Sequence, residues 1–254
     1  MIRADNLWKS FGHQEVLRGV SFEVQPGEFV ALIGGSGSGK SLLLKLLVSL
    51  LKPDNGRIWI SGKDVAASSG KELESLRSRI GFVFQGGALF DSMTVYDNVA
   101  FPLREKTSLG EKDIRRKVTG ELELVGLRDA GHKFPAQLSG GMIKRVALAR
   151  ALVRDPEIVL FDEPTTGLDP VVSRAVLDLF SAVHQRRRLT GILVSHEIPP
   201  IFEIVQKVAM LHEGRIVAVE PPGQFCASPD PVIQQFVNGK ASAQSRLNGG
   251  ASLT

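Results

Sequence analysis

The chain has 254 residues, 31 Lys and Arg against 27 Asp and Glu for a net charge of +4, and a hydrophobic fraction of 43%. That composition is ordinary for a globular protein and excludes a disordered or fibrous chain. No apolar run approaches the roughly 18 residues of a membrane span; the closest, Leu42–Leu51, is interrupted by Lys45 and Ser49. The first residues, MIRADNLWKSFGH, lack the apolar stretch of a secretory leader. The single cysteine, Cys226, excludes an intramolecular disulfide framework and a cysteine-built zinc site, and is read as a chance residue near the surface. A charge of +4 permits an anionic membrane or nucleic acid nearby but demands neither, and no nucleic-acid partner is expected. The run Arg186-Arg187-Arg188 is read as a solvated helix end, because no aromatic residue interleaves.

In chain order, Ser21-Phe22-Glu23-Val24 alternates and suggests an antiparallel sheet beside a parallel one. Phe29–Ile33 is the first of four short apolar runs expected as buried parallel strands; the others are Ile80–Phe84, Ile158–Phe161 and Ile192–Val194. Ser41–Leu51 is expected as an apolar helix stopped by Pro53, and Gly56–Ile60 as a hairpin arm turning at Ser61-Gly62-Lys63. Residues 86–155 carry helical periodicity at Glu111–Val125 and Met142–Leu152 and read as a helical insertion between core strands. A second hairpin joins Val208–Leu211 to Arg215–Val219 through His212-Glu213-Gly214. The stretch Gly239–Thr254, rich in Gly, Ala and Ser, is expected to be a disordered tail. The fold class is therefore α/β, with a core of parallel strands, a flanking antiparallel sheet and an inserted helical subdomain. The expected division is a main domain over 1–225 (core 1–85 and 156–225, helical subdomain 86–155) and an extension over 226–254.

The strongest motif is Gly34-Gly35-Ser36-Gly37-Ser38-Gly39-Lys40-Ser41, which fits G-x-x-x-x-G-K-[ST] between a buried strand and an apolar helix. Its glycines let the backbone curl so that successive N–H groups face one anion, and the helix start adds partial positive charge. Lys40 can reach β- and γ-phosphates, and Ser41 can offer its hydroxyl to Mg²⁺. The second motif is Ile158-Val159-Leu160-Phe161-Asp162-Glu163, an apolar strand ending in two acids at the sheet edge where ligands sit. Asp162 is placed to hold Mg²⁺, and Glu163 to orient and deprotonate a water. The third is Leu138-Ser139-Gly140-Gly141-Met142, which opens a helix. It is either a cap with glycines for close packing or a second anion cradle. One chain carries a single phosphate loop, so a second cradle needs another copy's nucleotide, which implies a head-to-tail dimer with ATP between the chains.

Together these motifs resemble the nucleotide-binding subunits of ABC transporters, over about residues 1–225, and the resemblance implies that the core is a P-loop NTPase (RecA-like) fold. The order agrees: Phe11, the phosphate loop, Gln85 after a strand, the LSGG-type signature at Ser139, Gly140 and Gly141, Asp162-Glu163, the Gly167-Leu168-Asp169 turn, and His196. One position departs, since the signature's fifth residue is Met142 in place of the usual Gln. The resemblance implies that Phe11 stacks on adenine, although a core aromatic would fit the sequence equally well. It implies that Gln85 touches Mg²⁺ and the attacking water, that His196 hydrogen-bonds the γ-phosphate, and that Asp169 packs across the dimer. The remaining histidines, His13, His132, His184 and His212, read as surface or structural.

A narrower likeness runs from Phe84 to Glu105 and includes Met142: both resemble the ATPases of the lipid-trafficking Mla and MCE systems. It implies an ATP- and Mg²⁺-dependent motor at the cytoplasmic face of the inner membrane, peripheral to it. Its partners would be an integral-membrane permease docked near Gln85–Val99, a second copy of the chain, a small regulatory subunit and an MCE-domain protein. Two alternatives compete, an ATPase serving another transporter and a soluble ABC-type ATPase acting on ribosomes or DNA. The latter usually has two ATPase halves or a long coiled-coil insert, and neither is present.

Overall fold

The computed structural model describes residues 2–196 and 198–238. The expected tail Gly239–Thr254 lies outside the described residues.

Two sheets organise the chain. β1 (Ile2–Phe11), β2 (Gln14–Val24), β4 (Asn55–Ile60) and β5 (Lys63–Asp64) form an antiparallel sheet in the order β2-β1-β4-β5. β3 (Phe29–Ile33), β6 (Ile80–Val83), β7 (Ile158–Asp162), β8 (Thr190–Val194), β9 (Lys207–His212) and β10 (Arg215–Glu220) form the second, in the order β10-β9-β3-β8-β7-β6. Every pairing in it is parallel except that of β10 with β9. All four expected core strands are present, and the late hairpin is β9–β10.

The central strands are apolar over most of their length because both faces are covered, with Thr190 and Asp162 only at strand ends. Period-two alternation then divides them. Val30, Leu32, Ile158, Leu160, Ile192 and Val194 face the antiparallel sheet and α1 (Lys40–Leu47). Phe29, Ala31, Ile33, Val159, Phe161 and Leu193 face the other way, into a cluster shared with the helices.

Those helices are α3 (Val95–Lys106), α4 (Glu111–Leu124), α5 (Gly140–Leu152) and α6 (Pro170–Arg187). A shorter α2 (Gly70–Ser78) leads into β6, and α7 (Pro222–Ala227) and α8 (Pro231–Val237) close the described chain. α3 was not apparent as a helix in the sequence. It is fixed by Thr94, whose hydroxyl accepts from the Asp97 amide at 3.1 Å. The fully buried Asn98 ties it to the preceding loop, exchanging hydrogen bonds with both the amide and the carbonyl of Phe90.

Two expectations differ from the structure, the end of the first apolar helix and the solvated state of Arg187. α1 ends at Leu47, not Leu51, because the chain reverses at Ser49 (φ 55°) and the amides of Leu50 and Leu51 turn back to the Lys45 carbonyl. Arg187 is no solvated helix end: it is 2.7 Å from Glu121 on α4, and Glu121 is 7% exposed. Helical order continues past residue 225, with Phe225 and Ile233 buried in the same cluster as Phe29.

Candidate nucleotide site

Parallel strands bring their carboxyl ends to one edge of the sheet. There the chain leaves β3 into the phosphate loop, β7 into Glu163, β8 into Ser195 and His196, and β6 into Phe84 and Gln85. Because β3 and β7 both flank β8, residues far apart in sequence become neighbours.

The phosphate loop passes close under β9. Gly34 has φ 151°, and a Cβ there would stand 2.2 Å from the Leu211 carbonyl oxygen, so only glycine fits. Lys40, 5% exposed, folds its ammonium back onto the loop, donating to the carbonyls of Gly34 and Gly35, both at 2.9 Å. An ammonium carries three donors, so one remains for an anion. Burial pushes the Lys40 ammonium down from its ordinary pKa, while the charges of Glu163 and Asp162 oppose that shift. The Ser38 hydroxyl is buried without a partner, an orphaned donor inside the loop. Both features fit an incoming phosphate.

Ser41 donates to Asp162 Oδ1 at 2.6 Å. Burial pushes the Asp162 carboxyl up; the Ser41 hydrogen bond opposes this and the Glu163 charge adds to it. Among the described residues no group of three or more His, Cys, Asp and Glu could hold a metal. A hydroxyl and one carboxylate, both hard oxygen donors, suit Mg²⁺ only where phosphate oxygens and water complete the octahedron. The residues present fit that arrangement.

Glu163 gathers three partners. Gln85 Nε2 donates to Oε2 at 3.2 Å, the Thr166 hydroxyl donates to Oε2 at 3.1 Å, and His196 Nδ1 lies 3.4 Å from Oε1. Its backbone sits at φ 46°, with its amide on the Val194 carbonyl. A non-glycine residue in that region costs of order 1–3 kcal/mol and is held only by its surroundings. Thr166 was missed in the sequence; its position three residues after Glu163, inside a turn, was the available signal.

An open groove of about 430 Å³ is lined by Phe11, Val16, Ser36, Gly37, Lys40, Ser41, Gln85 and Glu163, among others. Phe11 is 52% exposed and so is not a core aromatic; Lys9 lies over its ring at 5.6 Å. Ser139, Gly140 and Gly141 stand apart from this lining, at the start of α5, where the Ser139 hydroxyl accepts from the Met142 amide at 3.3 Å. Asp169 caps α6, accepting from the amides of Val171 and Val172. His184 is structural: its Nε2 lies 3.0 Å from the Gly27 carbonyl and its ring stacks on Phe29.

A family model described as ABC transporter matches residues 17–166, which include the phosphate loop, Gln85, the signature and Asp162-Glu163. The chain belongs to the ABC transporter family. Like other members it is an ATP-binding, ATP-hydrolysing subunit. Within the family, the chain is 38% identical to the intermembrane phospholipid transport system ATP-binding protein MlaF of Haemophilus influenzae, over 97% of this chain and 94% of that one. It is 43% identical to the probable ribonucleotide transport ATP-binding protein mkl of Mycobacterium leprae, over 94% of this chain and 69% of that one. A solved ABC cassette, dimeric and bound to ADP and Pi after hydrolysis, superposes with a TM-score of 0.79 at 30% identity, covering 87% of this chain and 99% of that one. Among the described residues no helix is long and apolar enough to cross a membrane.

Proposed function

We propose that this family member binds ATP with Mg²⁺ between two copies of itself and drives a membrane permease that moves phospholipid. The observation that carries the ATP site is the convergence of Lys40, Ser41, Asp162, Gln85 and Glu163 at one sheet edge. Lys40, the Ser38 hydroxyl and the loop amides bind the phosphates, and Phe11 stacks on adenine. Ser41, Asp162 and Gln85 hold Mg²⁺, which offsets charge on the phosphate oxygens. Glu163 takes the proton of the attacking water, and His196 steadies the γ-phosphate. Ser139, Gly140 and Gly141 complete the site of the partner copy, a reading supported by their separation from the groove of their own chain and by the dimeric cassette to which the chain is similar. Lys40→Ala tests the nucleotide site. Loss of a charge-assisted contact lowers ATP affinity by roughly 10–100-fold, read by nucleotide titration; unchanged affinity refutes the assignment.

The permease partner draws support from an apolar groove of about 340 Å³ between β6 and the helical subdomain, lined by Phe82, Phe84, Phe90 and Phe101. Phe90 is 42% exposed there. Phospholipid as cargo rests on the likeness to MlaF. A location at the cytoplasmic face of the inner membrane, a small regulatory subunit and an MCE-domain protein follow from the same reading. The likeness to mkl favours a second reading, in which the cargo is a ribonucleotide. Purification from membranes separates the two. The proposal expects a copurifying integral-membrane subunit that is lost in Phe90→Asp, and ATPase of the reconstituted complex stimulated by phospholipid and not by ribonucleotide. The opposite stimulation establishes the second reading.

A further inference from the structure

Among the described residues none of the three cations on α5 has a carboxylate to balance it; Arg145 donates to the Val125 carbonyl, and the other two, Lys144 and Arg150, reach the loop after β6. Lys144 is 5% exposed, and Arg150 is half-buried. Burial lowers the pKa of both, and among the described residues no ion pair offsets it for either. Removing a charge from water without a counter-charge is costly, so each is held by what it donates to. Lys144 Nζ donates to the carbonyl of Gln85. Arg150 donates from its two terminal nitrogens to the carbonyls of Ala88 and Gly87, both at 2.7 Å. Thus two cations of one helix, Lys144 and Arg150, grip three carbonyls within four consecutive residues. Between the two anchors the loop touches the helix directly. Gly87 has φ 77°, and a Cβ there would stand 2.8 Å from Ile143 Cγ2. A side chain at residue 87 would lift the loop off α5.

The same helix begins at Ser139, and the same loop carries the Gln85 amide to Glu163 at 3.2 Å. We infer that Lys144 and Arg150 are positioning residues that strap the Gln85 loop to the signature helix, fixing Gln85 against Glu163 and tying the signature's movement to the position of that side chain. A backbone held at residues 85, 87 and 88 has little freedom to carry Gln85 away unless α5 moves with it. This rests on the role proposed above for Gln85. Neither cation touches nucleotide; each acts through the carbonyls it holds.

The strap is separable from general stability. Replacing a buried cation that has no counter-charge by an apolar residue of similar length removes its desolvation cost, which offsets the hydrogen bond lost at the Gln85 carbonyl. Misplacing a reacting group by about 1 Å costs up to about 10²-fold in rate. Lys144→Met in the full-length chain is therefore expected to lower kcat by roughly 10–100-fold. ATP affinity and the unfolding midpoint should stay at the parent values, and Lys144→Arg, which keeps a long donor, should recover most of the rate. Arg150→Lys, which keeps the charge but loses the fork, gives a smaller fall and serves if Lys144→Met fails to fold. The deciding measurement is a cycle with Gln85→Ala: if the strap acts through Gln85, Lys144→Met adds nothing in that background. A slow Gln85→Ala beside a Lys144→Met of parent rate overturns the strap alone. So does full additivity of the two changes, or a loss of rate in Lys144→Met that tracks a loss of stability. If Gln85→Ala itself hydrolyses at the parent rate, the Gln85 assignment fails and the strap with it.

Discussion

Ser41 Oγ and Asp162 Oδ1 are 2.6 Å apart across 121 positions of sequence, so one hydrogen bond joins the phosphate loop to the acidic end of β7. Burial raises the Asp162 carboxyl and this bond opposes the rise. Ser41→Ala removes an oxygen donor and leaves the carboxyl less stabilised in its charged form. The expected outcome is a rise of roughly 10–100-fold in the Mg²⁺ concentration for half-maximal hydrolysis, read by titrating Mg²⁺ at saturating ATP. A Mg²⁺ requirement equal to the parent's would remove Ser41 from the metal site.

The signature glycines meet the helix that follows Glu163. A Cβ on Gly141 would stand 2.5 Å from Val172 Cγ1, and one on Gly140 would stand 2.9 Å from Leu168 Cδ2. Alanine ordinarily favours a helix over glycine by up to about 1 kcal/mol. Here overpacking costs about 1–3 kcal/mol and prevails, so Gly141→Ala should unfold at lower denaturant. Val172→Ala clears the space, and the double variant should regain stability relative to Gly141→Ala. A Gly141→Ala chain more stable than the parent would show that α5 and α6 part easily at this point.

The core was legible because parallel strands buried on both faces must be apolar throughout, as Phe29–Ile33 and Ile158–Phe161 are. The phosphate loop and the Asp162-Glu163 pair were legible because their chemistry lies in contiguous residues. α3 was hidden: Pro102 sits inside it, and the side-chain amide of Asn98 reaches back to the Phe90 and Met93 carbonyls of the preceding loop. The early end of α1 was hidden as well, because Leu50 and Leu51 continue the apolar pattern after the backbone has turned at Ser49. Lys144 and Arg150 were invisible for a different reason: each acts on backbone carbonyls about 60 positions away, which the fold brings near and which carry no sequence signal.

Glu121 and Arg187 form an ion pair between the helical subdomain and α6, at 2.7 Å. Glu121 Oε2 and Arg187 Nη1 are both buried without a partner, and burial pushes the Glu121 carboxyl up. Such a pair is poorly offset for its desolvation. Arg187→Met, which strands the carboxylate, should destabilise by about 3 kcal/mol. The double variant Glu121→Leu with Arg187→Met should recover to the parent or beyond. Denaturant unfolding reads both, and a double variant as unstable as Arg187→Met would mean that the pair contributes more than its charges. Because the raised Glu121 pKa favours the neutral acid in the fold, this site's penalty is greatest above the folded pKa and eases as pH falls through it. The gap between the parent and the double variant should therefore narrow on acidification.

Glu163 receives Gln85, Thr166 and the neighbouring His196 on one carboxylate, an arrangement suited to orienting a water and taking its proton. Gln keeps the size and one acceptor but cannot accept the proton, so Glu163→Gln should lose about 10²–10⁴-fold in hydrolysis. The proposed binding contacts are Lys40, the loop amides and Ser41, none of which changes, so ATP should still be held. With turnover blocked, the pair of chains that hydrolysis separates should accumulate as a dimer. In the shared site proposed above, that dimer needs Ser139 of the other copy facing the nucleotide. Ser139→Arg places a bulky cation there and also removes the cap on the Met142 amide, at a cost of about 1 kcal/mol. The double variant should therefore stay folded by circular dichroism, bind ATP as a monomer and form no ATP-dependent dimer. Size-exclusion chromatography with and without ATP, beside phosphate release, reads all three outcomes. Hydrolysis by Glu163→Gln at the parent rate would displace Glu163 as the base, and an undiminished dimer with Ser139→Arg would end the shared-site mechanism even if the base were correct.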